Sequence, residues 1–405
     1  MKLFGSCGTT IALLIAVGMA GTGCGSDSRS ARDALDSGLA RALASWRAVP
    51  DPATGVSLPG TAVAVYSPAL DGTVTYTAGV TDLASGKPLA ANDTFRLASV
   101  TKMFTAGLVM KLDQETQLAL SDPISMYVTW PNGENITIEM LLSHTSGIPN
   151  QIAATPPGFD PNRDYSPREL VQFVADYGQP DFAPGTQFMY SNTGYWILGE
   201  IIEAVTGTSY AQAVKSLITD PLELNNTYLW GYQQGRAPVQ GYNLTCTDGG
   251  RQVNREACIG KPSTATLVTN SLDWKYGWSA GSLVSDAHDV SVYTHALIAG
   301  DFLDAAHRAR MQTPNPLATS YLANGGSDQP LKSFGLGLEE YRIDGIGTAW
   351  GHNGEIDGFH NTSAYFIDAG FGLTVLDNLI PAGTLQSAAG LRELAPVIHA
   401  ALSGG

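Results

Sequence analysis

Basic residues are scarce in this sequence. Its 405 residues include 22 Lys and Arg against 37 Asp and Glu, a formal net charge of −15. No basic block breaks that imbalance, and a surface of this sign repels phosphate backbones, so nucleic acid is not an expected partner. Charged residues make up only 15% of the chain, too few for a coiled coil or a charged interaction tail. No segment holds ~18 consecutive apolar residues, the length a membrane-spanning helix needs. Internal repeats, low-complexity tracts and an HExxH metal motif are also missing. Hydrophobic residues, by contrast, reach 44%, which suits a folded chain with a sizeable core and excludes a disordered one.

The N-terminus reads as an export signal. Lys2 is followed by an apolar stretch ending Ile11-Ala12-Leu13-Leu14-Ile15-Ala16-Val17, then by the small residues Gly21-Thr22-Gly23. Cys24 comes next, an arrangement that resembles a bacterial lipoprotein box, although Gly21 stands where Leu is usual. The expectation is a signal at residues 1–23, a lipid-modified Cys24 and a short tether over 24–30. The protein is then exported, cell-envelope bound or secreted, and touches membrane only through that anchor. Export also bears on the remaining cysteines. Cys246 and Cys258 lie twelve apart in what reads as a polar loop, and an oxidising compartment makes a disulfide the expected outcome. Closing so short a loop contributes about 3 kcal/mol in the chain-entropy account. Two Cys without neighbouring His make no zinc set.

Residues 31–48 show helical periodicity ended by Pro50. Thr61–Tyr66 and Thr73–Thr77 flank Asp71-Gly72 and predict a β-hairpin. A helix is expected over 99–113. From about 115 to 275 short helices alternate with Pro- and Gly-rich loops, and Ser166-Pro167-Arg168-Glu169 carries a helix-capping signature. A helix over 286–300 follows. Strand-like runs return at Phe334–Arg342, Gly358–Ile367 and Phe371–Leu376, before a last helix near 386–402. The expected fold is α+β: one domain over 31–403, with an antiparallel sheet built from both ends of the chain, flanking N- and C-terminal helices and an inserted, mostly helical subdomain at about 115–275.

Three short patterns carry the chemistry. Ser99-Val100-Thr101-Lys102 puts an amine one helical turn from a hydroxyl. Burial of that face lowers the lysine pKa and leaves neutral amine to take the serine proton. Amides at a helix N-terminus would stabilise a developing oxyanion. Tyr190-Ser191-Asn192 offers a phenol that can relay protons, partly as phenolate beside a lysine, and an amide that can hold both lysine and substrate. His352-Asn353-Gly354, between two expected strands, would let a substrate lie along a strand edge. A competing motif, Gly277-Trp278-Ser279-Ala280-Gly281, matches a nucleophile elbow, but no strand is expected before it and no helix directly after it.

The order Ser-x-x-Lys, Tyr-x-Asn, His-x-Gly resembles the serine β-lactamase and penicillin-binding protein superfamily, in particular its class C β-lactamase and D-alanyl-D-alanine carboxypeptidase branch. The similarity runs over about residues 55–400 and includes Ile138–Ile148, Pro184-Gly185 and Phe334-Gly335-Leu336-Gly337-Leu338. It implies Ser99 as acylated nucleophile, Lys102 as its proton acceptor and Tyr190 as general base and acid. Asn192, His352, Gly354 and Glu355 would bind substrate, with the backbone N–H groups of Ser99 and Glu355 as oxyanion hole. His144 would be a satisfied structural histidine. Glu355 and Glu339-Glu340 depart from the carboxypeptidase pattern, since acids near the site repel an anionic substrate end; Arg342 would offset them. No cofactor or metal is implied, the partner is a small peptide, amide or ester substrate, and the oligomeric state is not legible. The expected function is an exported serine hydrolase working through an acyl-serine, carboxypeptidase- or β-lactamase-like. The alternatives are an esterase on neutral esters and a non-catalytic cell-envelope binding protein; the joint presence of Ser99, Lys102 and Tyr190 speaks against the last.

Overall fold

A computed structural model describes residues 24–48, 57–150, 163, 165–248, 251–254, 263–268, 274–325, 330–380 and 388–404. The expected signal at 1–23 and Cys258 lie outside them. The chain opens with helix α1 (Cys24–Ala48), then β1 (Gly60–Ser67), β2 (Gly72–Asp82) and the short β3 (Lys87–Pro88). Strand β4 (Phe95–Arg96) leads through a 3-10 turn at Ala98–Val100 into α2 (Thr101–Gln114). The middle holds α3 (Ile138–Leu142), α4 (Pro167–Tyr177), α5 (Asn192–Thr206), α6 (Tyr210–Val214), β5 (Tyr228–Leu229), β6 (Tyr242–Asp248), β7 (Arg251–Asn254), β8 (Ser263–Leu267), α7 (Trp278–Gly281) and β9 (Leu283–Ser285). After α8 (Ala287–Ile298), α9 (Ala305–Met311) and α10 (Pro316–Asn324) come β10 (Leu331–Phe334), β11 (Glu339–Ile343), β12 (Gly347–Ile356), β13 (Phe359–Phe366), β14 (Phe371–Asp377), β15 (Leu379–Ile380) and α11 (Ala389–Ser403).

Eight strands form one sheet in the order β10-β11-β12-β13-β14-β1-β2-β3, with every pairing antiparallel. The pairing of β1 with β14 joins the two ends of the chain, as expected. Both faces of the sheet are covered, and the period-two alternation of a strand sorts the side chains between them. In β1, Ala62 and Ala64 join the core under α2 and α8, while Val63 and Val65 join the core under α1 and α11. That is why β1 is apolar at successive positions rather than at every second one. Helix α1 buries Leu35, Leu39 and Leu43, one residue per turn, against the second of these faces.

Three expectations need correction. Residues 24–30 are the first turns of α1 rather than a tether, because neither Pro nor Gly interrupts the helix between Gly25 and Gly38. The mostly helical 115–275 insert also carries strands read there as loop: β6 pairs with both β7 and β8, and Cys246 sits in β6, not in a loop. The alternation Tyr242-Asn243-Leu244-Thr245 marks that strand, with Tyr242 and Leu244 packed together in a small core of their own. Finally, His352 lies within β12 rather than between strands, since β12 runs unbroken from Gly347 to Ile356.

Candidate active site

Ser99 sits in the 3-10 turn that feeds α2, and neighbouring strands hold that turn in place. Leu97 donates its N–H to Leu283 O at 2.8 Å, and Thr101 Oγ1 accepts the Leu283 N–H at 3.1 Å. From the sheet side, Asn361 Nδ2 donates to Arg96 O at 2.9 Å. The residue before the serine, Ala98, has φ +51°. A non-glycine residue in this left-handed region is strained by contact between Cβ and backbone. The strain is concentrated next to the hydroxyl expected to react.

Lys102, one turn on, is completely buried. Its Nζ lies 3.0 Å from Ser99 Oγ, 2.7 Å from Asn192 Oδ1 and 2.8 Å from Ala280 O. Burial holds the lysine well below its usual pKa, against a smaller upward pull from Glu339. A neutral amine has two N–H donors and one lone pair. With its two donors given to the two carbonyl oxygens, a neutral Lys102 turns its lone pair to the serine hydroxyl, the arrangement a proton acceptor needs.

Tyr190 and Asn192 arrive on the lead-in to α5. Ser191 caps that helix, its side chain accepting the Gly194 N–H, so Asn192 enters the first turn. Asn150 Oδ1 accepts the Asn192 N–H at 2.7 Å, which fixes the amide from behind. Lys102 Nζ is 4.9 Å from the centre of the Tyr190 ring. Burial pushes the Tyr190 phenol well above the usual tyrosine range, opposed by a hydrogen-bonding interaction with Ser99. The expected partial phenolate is therefore replaced by a neutral phenol, because the anion of the half-buried ring is solvated less well than that of a free tyrosine.

On the other side, β12 passes the serine turn at close quarters. A Cβ on Gly354 would lie 2.2 Å from Leu97 O and 3.0 Å from Ser99 N, so glycine is the residue that lets strand and turn approach. The backbone pairing of β11 with β12 stops at Glu339 and Gly351, leaving His352–Ile356 past the end of that ladder. This is the strand edge expected along the site. The Glu355 side chain is exposed there. His352 does not face solvent as a substrate ligand would: it is 1% exposed, with its ring 6.3 Å from that of Tyr190. Burial and the nearby Lys102 drive its pKa down to about 3, so the imidazole is neutral.

The acids are also redistributed. Glu339, expected to repel an anionic substrate, is buried beneath β12. It accepts from the Asn353 N–H at 2.8 Å, from Asn353 Nδ2 at 3.1 Å and from the Tyr341 hydroxyl. Burial raises its pKa to about 7. Glu340 and Arg342 pair with each other at 3.7 Å, with the arginine exposed. Glu339 is thus engaged by Asn353 and Tyr341 and Glu340 by Arg342, while Glu355 is exposed at the strand edge.

The competing elbow is excluded by its surroundings. Ser279 is fully buried, and its Oγ donates to Tyr195 O at 2.9 Å. A 3-10 turn at Trp274–Gly277 precedes it and β9 follows α7, so the strand-serine-helix order is missing. What this motif contributes is Ala280 O, a backbone acceptor for Lys102. Among the described residues, the one group of candidate metal ligands is Asp286, His288 and Asp289. Its acids are occupied in capping α8 and in accepting from Asn226 and Thr227.

A family model described as Beta-lactamase matches residues 39–392. A β-lactamase of Escherichia coli strain K12 is 32% identical over 198 residues, 44% of this chain and 49% of that protein. Penicillin-binding protein 4 of Amycolatopsis lactamdurans is 34% identical over 178 residues, 42% of this chain and 44% of that protein. The chain thus spans about half the length of the curated relatives it matches, or less. Among solved structures, a D-amino acid amidase from Ochrobactrum anthropi SV3 superposes with a TM-score of 0.73 over 92% of this chain and 99% of its own, at 23% identity. A D-stereospecific amidohydrolase from a Streptomyces species gives 0.64 over 94% and 99%, at 26% identity.

Proposed function

The chain belongs to the beta-lactamase family, and on that premise we propose that it hydrolyses a small amide, ester or β-lactam through an acyl-Ser99 intermediate. The observation that carries this reading is the contact of a buried, three-fold coordinated Lys102 with Ser99 Oγ at 3.0 Å. In the proposed reaction the neutral Lys102 amine takes the Ser99 proton as Oγ bonds to the substrate carbonyl carbon. The backbone N–H groups of Ser99 and Glu355, on the turn and the strand edge, receive the oxyanion. The leaving amine or alkoxide departs with the proton of the Tyr190 phenol, which Lys102 replaces, and Ser99 is acylated. Water then attacks the ester carbonyl, passing its proton back through the same pair, and Ser99 leaves with one proton restored.

Burial of Glu339 and the pairing of Glu340 with Arg342 support a neutral or amine-bearing substrate as readily as an anionic one. The D-amino acid amidase likeness points the same way, whereas the penicillin-binding relative favours carboxypeptidase- or β-lactamase-like specificity. A panel of nitrocefin, p-nitrophenyl butyrate, a D-phenylalanine amide and a diacyl-D-Ala-D-Ala peptide separates these. Turnover of at least one, lost in Ser99→Ala, is the expected result; a Ser99→Ala protein as active as wild type overturns the reading.

Export, lipid attachment at Cys24 and the Cys246–Cys258 disulfide belong to the same proposal. The disulfide is supported by register: Cys246 of β6 pairs with Val253 of β7 and with Ser263 of β8, and Cys258 falls in the segment joining those two strands. Among the described residues, no helix is long and apolar enough to cross a membrane.

A further inference from the structure

His144 behaves unlike a satisfied structural histidine. It follows α3 with φ +57°, a left-handed conformation that is strained for a residue carrying Cβ. It is 2% exposed, and its Nε2 has no hydrogen-bond partner among the described residues. A buried donor left unpaired is a further cost. What this buys is a clamp on one residue. His144 O accepts the Met189 N–H at 3.0 Å, and His144 Nδ1 accepts the Ser191 N–H at 3.1 Å. Between those two anchors its ring lies 4.4 Å from the Tyr190 ring, centre to centre. On its other sides stand Tyr195 at 5.1 Å and the edges of Phe188 and Phe334, each at 6.0 Å. Because Nδ1 accepts, the ring must carry its proton on Nε2.

We propose that His144 is a positioning residue: it holds the Tyr190 phenol in line between Lys102 and the leaving group by gripping the backbone on both sides of Tyr190 and packing a tilted ring against its own. The proposal rests on the acyl-Ser99 reading, in which Tyr190 protonates the departing group. A misplaced acid hurts poor leaving groups most, because a stable anion departs without a proton. Loss of His144 therefore has a signature that general loosening of the fold lacks: dependence on the leaving group at constant acyl group.

The test compares kcat/KM for p-nitrophenyl butyrate and ethyl butyrate in wild type, His144→Phe and His144→Asn, with thermal midpoints and fluorophosphonate labelling of Ser99 alongside. Phe keeps the ring and removes the acceptor. Asn keeps an acceptor, removes the ring and tolerates positive φ, so it covers the case in which the Phe variant fails to fold. His144→Phe is expected to lower kcat/KM for ethyl butyrate by about a hundredfold and for p-nitrophenyl butyrate by less than about threefold, with His144→Asn between wild type and Phe. Labelling, which expels fluoride, is expected to stay near the wild-type rate. Equal losses on both esters, or no loss, in a variant with a wild-type thermal midpoint overturns the positioning role. Wild type that resists labelling at Ser99 overturns the acyl-serine reading instead, so the two failures are told apart.

Discussion

At the residue scale the account turns on proton inventory. Lys102 and Tyr190 are both driven toward their neutral forms by burial, the lysine downward and the tyrosine upward. Each thus rests in the state that the proposed acylation needs, an acceptor and a donor. Lys102→Arg keeps a long basic side chain of similar size, yet a guanidinium stays protonated and cannot accept the serine proton. It is expected to reduce kcat/KM by about 10²- to 10⁴-fold at every pH from 6 to 9, the usual contribution of a general base. Partial recovery at high pH would show that the amine is not the acceptor. The types of Ser99, Lys102 and Tyr190 were legible in the sequence because their chemistry depends on side chains at fixed spacing. The contributions of Ala280 and His144 were not. Ala280 acts through its carbonyl, which every residue possesses, and the backbone angle of His144 leaves no mark in a one-letter code.

At the element scale the site is a meeting of three segments: the serine turn, the start of α5 and the free end of β12. Gly354 sets the last of these distances. Gly354→Ala puts a methyl group 2.2 Å from Leu97 O, so turn and strand must part. The variant is expected to lose about 1–3 kcal/mol in urea unfolding, with Ser99 labelling slowed as well. Unchanged stability and labelling would mean that the strand is free to move away. The hairpin β1–β2 followed from its alternation and the turn at Asp71-Gly72, and strands β13 and β14 from their strand-like runs. Strands β6–β8 did not, because two cysteines read under the assumption of export drew that segment as a polar loop. The 334–342 run was read as one strand. It divides at Gly337, whose φ of +71° turns the chain from β10 into β11 and places Glu339 under the site.

At the scale of the whole molecule, burying these groups ties stability to pH. Glu339 is raised from 4.5 to about 7, so between those values the folded protein holds a proton that the unfolded chain has released. Its contribution to stability therefore falls as pH rises through that window. His352, lowered from 6.5 to about 3, acts in the opposite sense: the unfolded chain binds the extra proton, and stability rises with pH up to about 6.5. The two partly cancel in wild type, and a difference measurement isolates one of them. The stability of wild type minus that of Glu339→Gln is expected to decline from pH 4.5 to 7 and then level; a flat difference across that range contradicts the buried-acid account. The architecture, with its sheet joined from both chain ends and covered on both faces, was expected from the order of elements, and the same topology brings β12 against α2. The most direct measurement is peptide-resolved mass spectrometry after brief exposure to a fluorophosphonate or a fluorescent penicillin. The account predicts a single covalent adduct on the peptide containing Ser99, absent in Ser99→Ala. An adduct on Ser279, or one that persists in Ser99→Ala, contradicts it.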